Sequence, residues 1–169
     1  MTPAELLADG FGRIVESGTA VVAGLSADDL TRRPAPEANS IAWLVWHLTR
    51  VQDDHVSEVA GRPQAWTEED FVRRFDLPLE ITDTGFGHTP EQVALVRAEA
   101  DLLAAYLTAV HERTLAFLAG LGADDLDRVV DTRWDPPVTL GVRLVSVLDD
   151  DARHVGQAEY VRGLLGGGS

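Results

Sequence analysis

Apolar residues recur at intervals of three and four along four long segments of this chain, with polar residues between them. This spacing places the apolar side chains on one face of an α-helix. The predicted helices are residues 3–24, 40–61, 90–118 and 139–165. Capping residues support these limits, because Asn39 or Ser40 precedes the second helix and Thr89 the third. Thr139 is placed to cap the fourth.

The connections between these helices differ in length. Residues 25–39 are rich in proline and turn formers, which predicts a short helical turn followed by a loop. The connection over residues 62–88 is long for a compact domain, and such a segment is usually functional or partly helical. The stretch VVDTRW at residues 129–134 is β-like in composition, and it is compatible with an extended segment that joins no sheet. The DPP motif that follows it excludes a helix.

Four amphipathic helices with one long crossover connection predict an all-α four-helix bundle. The chain has 169 residues, which fits a single domain, predicted over residues 1–165. Residues 166–169 read GGGS and are predicted to be a flexible tail.

Composition narrows the classes of partner. The net charge is −14, from 28 acidic and 14 basic residues, so phosphate backbones and anionic lipids are repelled. The chain has no cysteine, which excludes disulfides, thiolate ligands and a cysteine nucleophile. No signal peptide and no run of about 18 apolar residues is found, so a cytoplasmic protein without membrane spans is expected.

Three residues form a candidate metal site. Asp150 and His154 are four residues apart on the fourth helix, and share a face that also carries Leu144 and Val147. A carboxylate and an imidazole on an apolar face are costly unless they are paired or bind a ligand. His47, in the apolar run IAWLVWHL, is expected to point inward as well. Two imidazoles and one carboxylate leave a metal position open, and imidazole suits both zinc and nickel.

Two simpler interpretations of these residues stay open. An aspartate and a histidine at this spacing commonly form only a salt bridge, worth about 0.3–0.5 kcal/mol when exposed. A single histidine on an apolar face, such as His47, is commonly a core residue whose hydrogen bonds are satisfied.

Three further polar residues are candidates for a catalytic role. Asp54 follows the histidine of the second helix by seven positions and lies on nearly the same face. Arg143 and Gln157 lie within two turns of the pair in the fourth helix, where each is able to orient a polar substrate. A surface role is nevertheless favoured for Arg143.

Other titratable residues have plainer interpretations. Asp53 and His55 are expected to face solvent or a neighbouring helix. His88, in the segment GFGH, is within reach of the mouth of the site, but a histidine in a mobile loop is usually exposed. His111, on the third predicted helix, is expected on the surface.

The segments NSIAWLVWHLTRVQDDHV and RLVSVLDDDARHVGQAEYVRGLL resemble the DinB/YfiT-like superfamily of metal-binding four-helix bundles. Within it they are most similar to the actinobacterial branch that includes the mycothiol-dependent maleylpyruvate isomerases. The resemblance covers most of the chain and implies a metal bound by His47, Asp150 and His154. One departure is that the carboxylate of the isomerase branch is usually Glu, and Asp is one methylene shorter.

The resemblance implies a metal-dependent enzyme that uses a small-molecule thiol of the mycothiol type. The expected reaction is sulfur transfer to a small electrophile, or isomerisation through a thiol adduct. The 62–88 connection is expected to help exclude water.

Two other functions are left open. One is metal-assisted hydrolysis, in which Asp54 or Asp151 is the candidate general base. The other is a non-catalytic binding or stress-response module. In that case the bundle, or a homodimer of it, is the function and the metal site is vestigial. The shorter carboxylate at Asp150 favours this last alternative.

Overall fold

Four long helices pack side by side in the computed structural model, which describes residues 1–166. The long helices are α1 (Pro3–Val22), α3 (Ile41–Ala60), α7 (Ala100–Leu118) and α8 (Leu140–Gly166). The short helices are α2 (Ala27–Thr31), α4 (Ala65–Glu68), α5 (Phe71–Phe75) and α6 (Pro90–Val93). The prediction of an all-α four-helix bundle with a long crossover is confirmed. Of the tail predicted over residues 166–169, Gly166 ends α8 and residues 167–169 lie outside the described residues.

The helix limits follow from local capping. Ser40 caps α3 by accepting a hydrogen bond from the amide of Trp43, and Gly61 ends that helix in the left-handed region with φ 64°. Thr2 and Glu5 form a capping box at α1. None of the helices in residues 1–166 is both long and apolar enough to cross a membrane.

Helices α3 and α8 run antiparallel in close contact and place the site. Contacts at both ends establish the direction, since His47 lies beside His154 while His55 lies beside Arg143. Their facing residues bury Leu44, Leu144 and Val147 in the core. Helix α1 packs against α7 and α8 and closes the bundle from the other side.

The third predicted helix is wrong in its first part. Instead of one helix over 90–118, the short α6 is followed by an extended segment, and α7 begins only at Ala100. The extended segment carries Val96 and Ala98 into the core, where they are 0% and 7% exposed. Burial of these side chains outweighs the helical propensity of the segment.

The sequence was compatible with an unpaired VVDTRW stretch, but the structure pairs its first residues in a hairpin. Strand β1 (Val129–Asp131) pairs antiparallel with β2 (Val138–Thr139). The hairpin is held to the start of α8, because the amide of Leu140 donates to the carbonyl of Arg128 at 2.8 Å. This arrangement brings Asp131 against α8.

A buried polar cluster fixes the crossover connection onto the bundle. Asp53 of α3 accepts hydrogen bonds from the amides of Ala65 and Trp66 at 2.9 and 2.8 Å, and from the Tyr106 hydroxyl at 2.8 Å. Asp53 thus faces neighbouring helices and not solvent, the two surroundings that the sequence left open for it. Arg50 donates to the carbonyl of Asp83 at 3.1 Å. The connection is therefore a packed part of the molecule.

Candidate metal centre

His47, Asp150 and His154 come together between α3 and α8. One ligand atom from each residue lies within 4.8 Å of the others. His47 is buried, and Asp150 and His154 are partly buried. The two imidazole rings are 4.6 Å apart between centroids. Three donors at these separations are close enough to bind one ion with modest adjustment.

Backbone carbonyls orient both imidazoles. His47 Nδ1 is hydrogen-bonded to the carbonyl of Thr84, and His154 Nδ1 to the carbonyl of Asp150 at 2.8 Å. A carbonyl only accepts, so in the neutral rings the proton lies on Nδ1 and the lone pair on Nε2. This is the usual support for a histidine that binds metal through Nε2.

Asp150 provides an observation that fits a cation. Its Oδ2 is buried and has no hydrogen-bond partner among the described residues. The atom lies 3.3 Å from His154 Nδ1, but the single proton of that nitrogen is already donated to a carbonyl. A buried acceptor without a donor is costly, and a bound cation would remove the cost. The donor set therefore fits a divalent ion.

The pKa values of the three residues shift in different directions. Burial lowers the pKa of His47 below its ordinary value and so keeps the ring neutral. Burial also acts to lower the pKa of His154, but the hydrogen bond to the Asp150 carbonyl and the negative charge of the nearby Asp150 carboxylate outweigh this and raise it. Burial acts to raise the pKa of Asp150, but contact with His154 holds it below the ordinary value.

A loop from the crossover connection lies directly against His47. Gly85 in this loop has φ +89°, and a Cβ there would lie 2.8 Å from His47 Nδ1 and 3.0 Å from the Trp46 ring. Only glycine fits this approach without displacement. Trp43 stacks on His47, with ring centroids 4.5 Å apart. The side chain of His47 is thus held by a helix, a loop and an aromatic ring.

His88 is buried, contrary to the prediction of an exposed loop residue. Its side chain is 3% exposed, and its Nε2 contacts the Asp83 carboxylate at 2.9 Å. Its Nδ1 accepts a hydrogen bond from Trp43 Nε1 at 3.1 Å. Because Trp43 stacks on His47, this chain of contacts ties the loop to the ligand set. In the sequence, the two glycines of GFGH were a signal that the loop backbone approaches another part of the chain closely. No sequence signal indicated that the carbonyl of Thr84 would bind His47.

A cavity of about 590 Å³ opens beside the ligand set. His47 and Asp150 form part of its wall, and the apolar side of the wall includes Phe86 and Trp134. These two aromatics are 92% and 67% exposed, so they lie at the mouth. Together they give the mouth of the cavity an exposed aromatic surface.

The three candidate catalytic residues are placed differently. Arg143 is buried, which corrects its predicted surface role, and it pairs with Glu58 at 2.6 Å and Asp131 at 3.3 Å. Asp54 lines the cavity and accepts from Gln64 at 2.7 Å. Gln157 is exposed and is not part of the cavity wall.

Asp151, a candidate base for hydrolysis, is fully buried. Both of its carboxylate oxygens lack hydrogen-bond partners among the described residues. Burial, together with the charge of Asp150, raises the pKa of Asp151 well above its ordinary value. Burial therefore favours the protonated form of Asp151, and its side chain is not part of the cavity wall.

Fold and candidate site together define the class of protein. It is a DinB-like helical bundle in which a His/Asp/His cluster lies between two facing long helices. A family model described as mycothiol-S-transferase matches residues 11–167, and the chain belongs to that family. The resemblance to the DinB/YfiT-like superfamily is thereby confirmed.

A solved structure has the same fold. The crystal structure of a conserved protein from Enterococcus faecalis is 34% identical, with each chain covered over 99% of its length and a TM-score of 0.92. A comparison with curated proteins found no match. Membership in the family implies a transferase that uses mycothiol. The family is named for transfer, so isomerisation stays a prediction from resemblance.

Proposed function

We propose that the protein joins mycothiol, through its sulfur, to a small apolar electrophile at a divalent metal held by His47, Asp150 and His154. The observation that carries this proposal is the unsatisfied Asp150 Oδ2 beside two imidazoles whose Nδ1 atoms are bound to carbonyls. Zinc and nickel both suit this mixture of nitrogen and oxygen donors. The family supplies the thiol and the class of reaction.

A divalent ion bound there would supply a Lewis acid that lowers the pKa of a coordinated thiol. The residues of the chain would hold that ion where access of water is reduced, since His47 is buried under the Gly85 loop. The chain has no cysteine, so the reacting sulfur comes from the small molecule. No side-chain thiol of the protein competes for the same position.

The electrophile is proposed to bind at Phe86 and Trp134. Both side chains are exposed at the mouth of the cavity that reaches His47 and Asp150. Their apolar faces favour an uncharged, hydrophobic acceptor. In the transfer, sulfur forms a bond to carbon, the leaving group departs with its electron pair, and the thiol proton passes to solvent.

The test is thiol-dependent turnover of a fluorogenic alkyl halide by protein loaded with zinc or nickel. The wild-type protein should convert the halide with mycothiol, and His154→Ala should lose at least a hundredfold in kcat/KM. His111→Ala is the matched control, because this histidine lies on α7 outside the cavity wall. Equal rates for wild type and His154→Ala would refute the proposed site, and release of thiol-free hydrolysis product would favour the hydrolase alternative.

A further inference from the structure

Trp43 contacts both imidazoles of the candidate metal centre. Its indole stacks on His47 with an angle of 13° between the ring planes. The same indole meets His154 edge-on, with ring centroids 6.1 Å apart. Trp43 lies one turn before His47 on α3 and is only 6% exposed. The position of this one indole therefore limits where both candidate ligands can lie.

A single hydrogen bond selects the orientation of the indole. A tryptophan side chain on a helix has several rotamers, and Trp43 adopts one in which Nε1 donates to His88 Nδ1 at 3.1 Å. An indole nitrogen only donates, so His88 Nδ1 must carry a lone pair. The neutral ring of His88 therefore has its proton on Nε2. This is the opposite tautomer to that of His47 and His154, whose Nδ1 atoms are bound to carbonyls.

Asp83 maintains this tautomer of His88. The two oxygens of its carboxylate lie 3.0 and 2.9 Å from His88 Nε2, and a carboxylate accepts the proton that this nitrogen carries. Oδ1 of Asp83 also accepts a hydrogen bond from the amide of Gly85 at 2.7 Å. One carboxylate thus holds both the ring of His88 and the turn that brings Gly85 against His47.

His88 and Trp43 are placed to act on the ligands and not on a substrate. The side chain of His88 is 3% exposed and stacks on Trp46, with ring centroids 6.0 Å apart. Neither His88, Trp43 nor Asp83 is part of the wall of the cavity beside the metal centre. Any effect of these residues on the site therefore passes through His47 and His154.

We propose that His88 is a positioning residue of the metal centre, which holds the Trp43 indole against the two ligand imidazoles. Histidine suits this place because one ring nitrogen accepts from Trp43 on α3 while the other donates to Asp83 in the crossover connection. His88 supplies no ligand atom, and it fixes the geometry in which two ligands meet an ion. The inference rests on the metal site of the proposed function.

The test measures metal binding in the absence of thiol. Zinc affinity is measured by competition with a chelator, and cobalt(II) is added separately because its visible absorption reports the geometry of its ligands. His88→Leu removes the acceptor and keeps an apolar side chain in the buried position. His88→Asn places an amide oxygen near the position of Nδ1, so it can still accept from Trp43.

Phe75→Leu is the matched control for a general loosening of the crossover connection. Phe75 is buried in the same connection, where it packs on Trp66 and Tyr106. Its replacement leaves the hydrogen bond between Trp43 and His88 in place. A merely structural role of His88 would make its loss resemble that of Phe75.

His88→Leu should weaken zinc binding by about tenfold or more and change the cobalt absorption, as is usual for loss of a group that orients a metal ligand. His88→Asn and Phe75→Leu should bind zinc as the wild type does. Equal zinc affinity in His88→Leu and the wild type, or equal losses in His88→Leu and Phe75→Leu, would overturn the inference.

A double-variant cycle shows whether His88 acts through Trp43. Trp43→Phe keeps an aromatic ring beside His47 and removes the N–H. The double variant Trp43→Phe/His88→Leu should bind zinc no more weakly than the worse single variant, because both changes break the same hydrogen bond. Losses that multiply would overturn the inference. Coupled zinc affinities in a protein that transfers no mycothiol would leave the inference standing and refute the proposed function, whereas transfer by a protein with independent losses would do the reverse.

Discussion

His47 and His154 must both lack a proton on Nε2 to bind an ion. Their surroundings shift the two pKa values in opposite directions. Burial lowers the pKa of His47, so this ring stays neutral as the pH falls. The bonds to Asp150 raise the pKa of His154 above its ordinary value of 6.5 despite partial burial. A falling pH therefore protonates His154 first, and the proton on its Nε2 competes with the metal.

The metal affinity should consequently be constant at alkaline pH and weaken as the pH falls through the raised pKa of His154. Below that pKa the affinity should fall about tenfold per pH unit, because binding displaces one proton. Asp150→Asn removes the charge that raises this pKa and should move the midpoint to lower pH. Competition titrations with a chelator indicator at several pH values measure this dependence of metal affinity on pH. A metal affinity that does not change between pH 6 and 8 would contradict the assignment of His154 as a metal ligand.

The length of the carboxylate at position 150 gives a second prediction for single residues. Asp150→Glu should retain or strengthen metal binding, because the longer side chain carries the same charge further towards the imidazoles. Asp150→Asn keeps the shape of the side chain and removes its charge, and should weaken metal binding by at least tenfold. Metal content after dialysis measures both variants. If glutamate were as damaging as asparagine, the carboxylate would not be a ligand.

Gly85 offers a test of how His47 is held. Gly85→Ala should weaken metal binding by about 10–100-fold, because a Cβ would displace the ring of His47. Gly87→Ala is the control, since Gly87 also has positive φ, +74°, but nothing lies within 4 Å of its Cβ position. The control shares the backbone strain and lacks the contact. Equal metal affinities in the two variants would show that the loop does not position the ligand.

Among the secondary-structure elements, the crossover connection depends most on one side chain. Asp53 joins α3 to the first residues of α4 and to Tyr106 of α7 through buried hydrogen bonds. Asp53→Asn should lower the free energy of unfolding by about 3 kcal/mol, because the amide leaves buried donors without a charged acceptor. Asp54→Asn, which affects one partly buried hydrogen bond, should cost less than about 1 kcal/mol. Urea unfolding measures both, and equal losses would contradict this role for Asp53.

Helix positions could be predicted where the signal is local. Periodicity and capping residues located α1, α3 and α8, since Ser40 and Gly61 act within one turn of the helix they limit. The break before α7 could not be predicted, because residues 94–99 contain neither Pro nor Gly, and the chain leaves the helical conformation there with Val96 and Ala98 buried in the core. The hairpin was missed because β2 has only two residues, too few for a recognisable alternation.

The candidate ligands could be predicted for the same reason as the helices. His47, Asp150 and His154 lie on apolar faces, and the regular period of a helix carries that information. The contacts that the loop makes with His47 could not be predicted. Thr84 and His47 are 37 residues apart and meet only after the connection has packed against the bundle. The burial of Arg143 likewise depends on the hairpin that supplies Asp131.

On the scale of the whole molecule, the distribution of charge suits a small neutral substrate. The chain carries a net charge of −14, yet three of its arginines, Arg62, Arg133 and Arg143, line two adjoining cavities, one of which is the cavity at the candidate metal centre. The acidic surface disfavours anionic macromolecules, while the arginines balance the carboxylates inside. A homodimer, expected as one alternative from the sequence, stays a prediction.

The central claim is that the His/Asp/His cluster holds a metal to which the thiol binds. Calorimetric titration of mycothiol into metal-loaded wild type, metal-free wild type and His47→Ala tests it most directly. The metal-loaded protein should bind the thiol at least tenfold more tightly than the other two, and the thiol should tighten metal binding by the same factor, since linkage is reciprocal. Equal affinity for all three would contradict the claim.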